Sequence, residues 1–295
     1  MQNVGVIGLG NMGRGMAHSL RRGGMAVSGY DSLAGTRERL AGEGFTVHSG
    51  VADLCREAQV LILSLPTAAI VETVIAGPDG ILVHGRPGMT IVDTSTSHPE
   101  TSRKVAALLA ARGMGFIDAP VSGGPKGAMG GTMTMVMGGS QADIDKVEPV
   151  LSVMSAKRVH VGPVGAGHVT KIINNLLCAA HLLTGAEAMR LATEAGVEPE
   201  RVMEGINAGS GRSGVTMVNF PTWIFNEAFD SGFTMKLMRK DVALGAQLMS
   251  ELGLSMPMAG QTTRIWEESL ATLPDEEDFN RIVSLQVASR KGKGQ

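Results

Sequence analysis

Lys171 carries the clearest chemical signal in the sequence. It stands in Lys171-Ile-Ile-Asn174-Asn175, just after the glycine-rich stretch Gly162-Pro-Val-Gly165-Ala-Gly167 and at the start of a long apolar run with helical spacing. An amine among Val169, Ile172, Ile173, Leu176 and Leu177 is partly desolvated, which disfavours its charged form and suits a group that passes a proton at working pH. Residues 171 and 175 are i and i+4 on that helix, so the Asn175 amide shares a face with the amine. A lone lysine on an amphipathic helix also snorkels to solvent. Two further motifs, both earlier in the chain, turn the balance towards the proton shuttle.

The first is Gly8-Leu-Gly10-Asn11-Met12-Gly13, between a strand-like Val4-Gly-Val-Ile7 and a helical stretch from Gly15 to Leu20. The first glycine of such a fingerprint permits a tight turn, the second lets a pyrophosphate approach the backbone, and the third lets helix and strand pack closely. N–H groups at that helix N-terminus favour a diphosphate. A second strand, Ala26–Tyr30, ends at Asp31, 18 residues past Gly13 (31 − 13). A carboxylate there accepts hydrogen bonds from adenosine ribose hydroxyls and repels a 2′-phosphate, which favours NAD. Arg37 and Arg39 follow within a turn or two and keep NADP use open.

Two later segments, Leu63-Ser-Leu65-Pro66-Thr67 and Asp93-Thr-Ser-Thr96, fall at expected strand C-termini, where ligands bind in open α/β sheets. Leu65 and Pro66 are placed to wall the nicotinamide side. The second motif is Asp118-Ala-Pro-Val-Ser122-Gly123-Gly124-Pro-Lys-Gly127, unusually rich in glycine for a connection. The N–H groups of Ser122, Gly123 and Gly124, with the Ser122 hydroxyl, form a cradle for a substrate carboxylate.

These residues need a scaffold, and the chain supplies two. Up to about residue 160, short apolar runs alternate with amphipathic helical stretches, the signature of a parallel sheet covered by helices on both faces. The spacing predicts strands near 3–8, 26–30, 45–48, 59–65, 89–93, 114–118, 132–138 and 158–161. After Gly167 a single helical pattern runs over 168–194, roughly 27 residues or ~40 Å, long enough to join two domains. Further helices are expected at 197–208, 212–228, 234–252 and 257–271. The domains are then 1–162, a doubly wound dinucleotide-binding α/β unit, and 163–295, an all-helical unit beginning with the joining helix.

Composition excludes several classes. A net charge of −2 and the lack of a basic stripe with interleaved aromatics remove nucleic acid and acidic membranes as expected partners. Only the tail Arg290–Gln295 is locally basic, and it reads as a frayed end. No apolar run reaches membrane-spanning length, and no charged and apolar leader opens the chain. Cys55 and Cys178 lie far apart and the seven histidines form no paired spacing, so no metal is expected and reduced thiols suggest the cytoplasm. Met133, Met135 and Met137 alternate as on one strand face, while Met235, Met238 and Met249 fit a helical core.

Taken in order, the Gly8–Gly13 fingerprint, Ser122-Gly-Gly with Gly127-Ala128 and Gly130-Gly131-Thr132, Gly165-Ala-Gly167 before Lys171-Ile-Ile-Asn-Asn175, and Lys240-Asp241 make the chain resemble the β-hydroxyacid dehydrogenase family over nearly its whole length. The resemblance implies a Rossmann domain, a long interdomain helix carrying a catalytic lysine at Lys171, and a helical domain over the substrate. It matches Ser122, Gly123 and Gly124 to the carboxylate-binding segment and Asn175 to a substrate-contacting asparagine. Thr96 and Lys240 match positions near the nicotinamide.

The implied activity is hydride transfer between NAD, or NADP, and a small anionic hydroxy acid or semialdehyde, in a homodimer or homotetramer. A nucleotide-binding sensor without catalysis, or a reductase of another carbonyl or of an imine, are the alternatives. The segments Gly209-Ser-Gly-Arg212-Ser213 and Asn219-Phe-Pro-Thr-Trp223 lie where the resemblance puts a variable substrate wall. Arg212 there is either a second anion contact or a surface or interface arginine.

Overall fold

The computed structural model describes residues 3–285; the basic tail expected to fray lies outside them. Two compact units divide at Lys171/Ile172, inside the long helix. The first alternates strands and helices: β1 Asn3–Ile7, α1 Asn11–Arg22, β2 Ala26–Tyr30, α2 Ala34–Gly42, β3 Thr46–Val47, α3 Val51–Glu57, β4 Val60–Leu63, α4 Ala68–Ala76, α5 Ile81–His84, β5 Thr90–Asp93, α6 Pro99–Ala110, β6 Gly115–Asp118, β7 Val121–Ser122, α7 Gly124–Gly130, β8 Met133–Gly138, α8 Gln141–Met154 and β9 Ser155–Gly162. The helix α9, Ala166–Glu194, then runs through the division.

The sheet has the order β3-β2-β1-β4-β5-β6-β8-β7, with β9 paired to β8. Strands β1 to β6 pair in parallel. Expectation and structure part at the far edge, where β8 runs antiparallel to both β6 and β7, so the sheet is mixed. The short strand β7 was expected as part of a loop.

Side-chain alternation explains why these segments are strands. Val4, Val6, Ile62, Val92 and Ile117 point into one core with Met16 and Leu20 of α1 and Val147 and Leu151 of α8. Their sequence neighbours Ile7, Leu61, Leu63, Ile91 and Phe116 point into the other, with Leu54 of α3, Ile75 of α4 and Val105 and Leu109 of α6. A sheet buried on both faces needs such continuous apolar runs. Met133, Met135 and Met137 all face the first core, the alternation read from the sequence. Cys55 is buried in the second, and burial pushes its thiol up to about 11, against the opposing charge of Arg86, which leaves it inert.

The second unit contains the remainder of α9, α10 Pro199–Ala208, a π-helix Val215–Ile224, α11 Met235–Glu251 and α12 Pro257–Glu268, with two short 3-10 turns. Its core gathers Leu182, Leu183, Phe220, Met235, Met238, Trp266 and Ile282. Trp266 is fully buried and its indole N–H donates to the Ala179 carbonyl at 3.3 Å. Met249 is only half-buried, and so is Cys178. The helix expected at 212–228 is a shorter π-helix, and Pro221 inside it has no N–H to give to a helical ladder.

The start of α9 is held by the sheet. Asp118, at the end of β6, accepts Gly165 N–H at 2.7 Å on Oδ1 and His168 N–H at 2.9 Å on Oδ2. These donors are among the first N–H groups of α9, which have no partner within a helix. Burial pushes the Asp118 carboxyl above the usual carboxylate range, while the two N–H donors oppose the rise. Replacing Asp118 with Asn keeps its volume but turns an –NH2 towards one of those donors. The urea midpoint should fall by the equivalent of about 1–3 kcal/mol; an unchanged midpoint at unchanged slope would show that the cap is dispensable.

Candidate functional site

In the sheet unit, the fingerprint forms the turn from β1 into α1. A Cβ on Gly13 would lie 1.8 Å from the Gly8 carbonyl oxygen, so no other residue fits that crossing. A Cβ on the exposed Gly10 would meet nothing within 4 Å. The loop is therefore open on the side from which a diphosphate would approach. Gly10 caps α1 without a side-chain bond, and the first turn, beginning Asn11-Met12, carries no acidic residue. Donor groups there suit a diphosphate, so the residues present fit a dinucleotide.

Asp31 is tied to this loop. Its Oδ2 accepts Leu9 N–H at 2.8 Å and its Oδ1 accepts Leu33 N–H at 2.9 Å. Each carboxylate oxygen keeps a further lone pair for a ribose hydroxyl. Arg37 donates to the carbonyls of Asp31 and Ser32 at 2.7 and 3.0 Å, after β2, and Arg39 to that of Leu9 at 3.2 Å, after the neighbouring β1.

Just past the C-terminal ends of β4 and β5, the half-buried Leu65 N–H donates to Ser95 Oγ at 3.0 Å, beside the Thr94 N–H and hydroxyl that both donate to the Leu63 carbonyl. Pro66 is exposed beside Leu65, and Thr96 is half-buried beside Ser95. At the opposite edge, Ser122 pairs with Thr134 across β7 and β8. Gly123 and Gly124 have φ of 124° and 60°, backbone that other residues rarely adopt, and this turns the chain sharply after the exposed Ser122.

Lys171 is 9% exposed, and its Nζ donates to Ser122 Oγ at 3.0 Å. The amine and the hydroxyl singled out separately in the sequence are thus brought together within one unit. The apolar surroundings expected for the lysine are only partly realised. Ile172 is buried, but Ile173 and Leu177 are about half exposed, on another face of α9.

Within the helical unit, Asn175 is 5% exposed and Asp241 1%. Asn175 Nδ2 donates to Asp241 Oδ2, and its Oδ1 accepts from Asn174 Nδ2 at 3.0 Å, which sets the orientation of the amide. Lys240 Nζ lies 3.1 Å from Asp241 Oδ1. Arg212 is exposed.

Three residues with evident structural work were given no role from the sequence: Asp118, His168 and Asp241. Asp118 and Asp241 sit inside quoted motifs, yet their partners lie 47 and 66 residues away, and no local pattern announces such a bond.

Two family models match: the NAD binding domain of 6-phosphogluconate dehydrogenase over residues 3–162, and the NAD-binding domain of NADP-dependent 3-hydroxyisobutyrate dehydrogenase over residues 165–286. Among curated relatives, the 2-(hydroxymethyl)glutarate dehydrogenase of Eubacterium barkeri is 36% identical, covering 96% of this chain and 94% of its own. The NAD-dependent L-serine dehydrogenase of Pseudomonas aeruginosa is 32% identical over 97% of this chain and 98% of its own. Among solved structures, the 3-hydroxyisobutyrate dehydrogenase of Mycobacterium tuberculosis with L-serine superposes with a TM-score of 0.89 at 30% identity, over 97% of this chain and 99% of that one. With a dinucleotide loop at one strand end and a buried amine at another, the chain belongs to the β-hydroxyacid dehydrogenase family, NAD(P)-dependent oxidoreductases acting on CH–OH groups.

Proposed function

We propose that the protein interconverts a small β-hydroxy acid and its semialdehyde or ketone, with Lys171 as general acid and base and NAD as the preferred coenzyme. The observation that carries this is the buried amine donating to Ser122 Oγ at 3.0 Å. The named relatives act on hydroxymethylglutarate and L-serine, or crystallise with L-serine; each ligand carries a hydroxyl on the carbon β to a carboxylate.

The nicotinamide, when bound, supplies or takes up the hydride. In reduction, the Lys171 ammonium polarises the carbonyl and gives a proton to its oxygen; in oxidation, the neutral amine takes the alcohol proton. Ser122 Oγ accepts from the amine in the structure, which leaves its own proton for a substrate oxygen. With the N–H groups of Gly123 and Gly124, it would hold the carboxylate and set the distance from that anchor to the reacting carbon. Asn175, one turn along α9 from the lysine, would bind the substrate through its remaining N–H and lone pair, oriented by Asp241.

Leu65, Pro66 and Thr96 would flank the nicotinamide, and Lys240 would contact the coenzyme. Asp31 supports NAD through its carboxylate at the end of β2. Exposed Ile173, Leu177, Leu191 and Met258 support a homo-oligomer, and the two cysteines without disulfide spacing support a cytoplasmic setting.

Turnover of 3-hydroxyisobutyrate, L-serine and 2-(hydroxymethyl)glutarate with NAD, and of short semialdehydes with NADH, tests the activity. Lys171→Ala should lower kcat by about 10²- to 10⁴-fold while NAD affinity stays near that of the parent; undiminished turnover would remove the lysine from the chemistry. Asp31→Asn should raise the kcat/KM ratio for NADP over NAD, and should weaken NAD binding as well because one N–H of the loop loses its acceptor. An unchanged ratio would count against a ribose contact.

A further inference from the structure

One buried group in the sheet unit has no part in the chemistry above. His168 is fully buried, one helical turn before Lys171 on α9. Its Nε2 lies 2.9 Å from the Ser95 carbonyl oxygen, and a carbonyl only accepts, so Nε2 carries a hydrogen. Its Nδ1 lies 2.7 Å from Ser102 Oγ on α6. Asp93 is also fully buried, and its Oδ2 is 3.9 Å from Nε2, beyond hydrogen-bond reach. Ser102, His168 and Asp93 follow one another like a nucleophile relay, but a serine 1% exposed is closed to any substrate.

The ring's position matters more than its reactivity. Ser95, whose carbonyl receives Nε2–H, also receives Leu65 N–H on its Oγ at 3.0 Å. A continuous path therefore runs from Leu65 through Ser95 and His168 into the helical turn that ends at Lys171. The Asp118 cap and the close seat of Gly167 hold α9 through its backbone, near the axis, where a contact has little leverage on the rotation of the helix. A side chain anchored at two points off the axis sets it firmly.

We propose that His168 is a positioning residue: by bonding Ser95 and Ser102 it fixes the rotation of the first turn of α9, and so holds the Lys171 amine in register with the strand ends that face the nicotinamide. This rests on Lys171 being the acid–base group. His168 touches neither amine nor ligand and acts through the helix alone.

Variants His168→Leu and His168→Gln, each alone and with Lys171→Ala, test it in steady-state assays on whichever acid of the panel turns over fastest. Gln offers an N–H donor and an oxygen acceptor at nearly the spacing of the ring nitrogens, and Leu offers neither. His168→Leu should lower kcat by about 10- to 10²-fold with KM for the acid changed less than about threefold, as for a misplaced reacting group. His168→Gln should recover kcat to within about threefold of the parent. In the Lys171→Ala background, His168→Leu should cause no further loss, since a residue acting through the amine has nothing left to position.

Parental kcat in a folded His168→Leu, equal impairment by Gln and Leu, or full additivity with Lys171→Ala would each overturn the positioning role. Should the Leu variant fail to fold, Ser102→Ala takes its place in the same cycle. A loss of kcat that vanishes in the Lys171→Ala background supports the role, and no loss or an additive loss overturns it. Full activity in Lys171→Ala alone would instead defeat the proposed acid–base function, so the two failures are distinguishable.

Discussion

The structure depends on one carboxylate meeting one helix end. The first N–H groups of a helix have no partner inside it, and when that end is buried, something else must accept them. For α9 the acceptor is Asp118, which takes the N–H groups of Gly165 and His168 on its two oxygens. Gly167 shows how close the approach is, since a Cβ there would fall 2.6 Å from the Asp118 carbonyl oxygen. A helix seated so tightly on the end of β6 brings Lys171 to Ser122, which follows β6 by only a few residues. The Asp118 cap and the close seat of Gly167 place the start of the helix, and the proposed His168 anchor sets the rotation with which amine and hydroxyl meet.

The sheet unit carries a second consequence of the same logic. Parallel strands place their C-terminal ends at one edge, and the groups that would meet a dinucleotide or a small acid lie there: Gly10 after β1, Asp31 after β2, Leu65 after β4 and Thr96 after β5. Ser122 reaches the site by a different route, on β7, antiparallel to β8. The mixed edge of the sheet is what lets a loop leave β6, turn at Gly123 and Gly124, and present a hydroxyl to a helix that starts more than forty residues later.

Local features were legible in the chain and long-range ones were not. The strands could be read because apolar residues fill both faces of a buried sheet, and the fingerprint because its glycines form a fixed local spacing, with Gly13 crossing the Gly8 carbonyl. Lys171 and Ser122 were each visible as types in a pattern. Their bond, across 49 residues, was not. Asp118 and His168 stayed silent because an aspartate at a strand end and a histidine at a helix start look the same whether or not a distant partner exists. The π-helix at Val215–Ile224 escaped for another reason, since hydrophobic spacing scarcely separates it from an α-helix and Pro221 falls inside it. Ile173 and Leu177 mark the limit of apolar patterning: both belong to the helix pattern, yet they face outward.

The most direct test is a crystal structure with NAD and a hydroxy acid that the protein turns over. The predicted result places Lys171 Nζ within about 3 Å of the substrate hydroxyl oxygen, the carboxylate against Ser122 to Gly124, and Asp118 still capping α9. An amine turned to solvent, with the hydroxyl held by other groups, would contradict it.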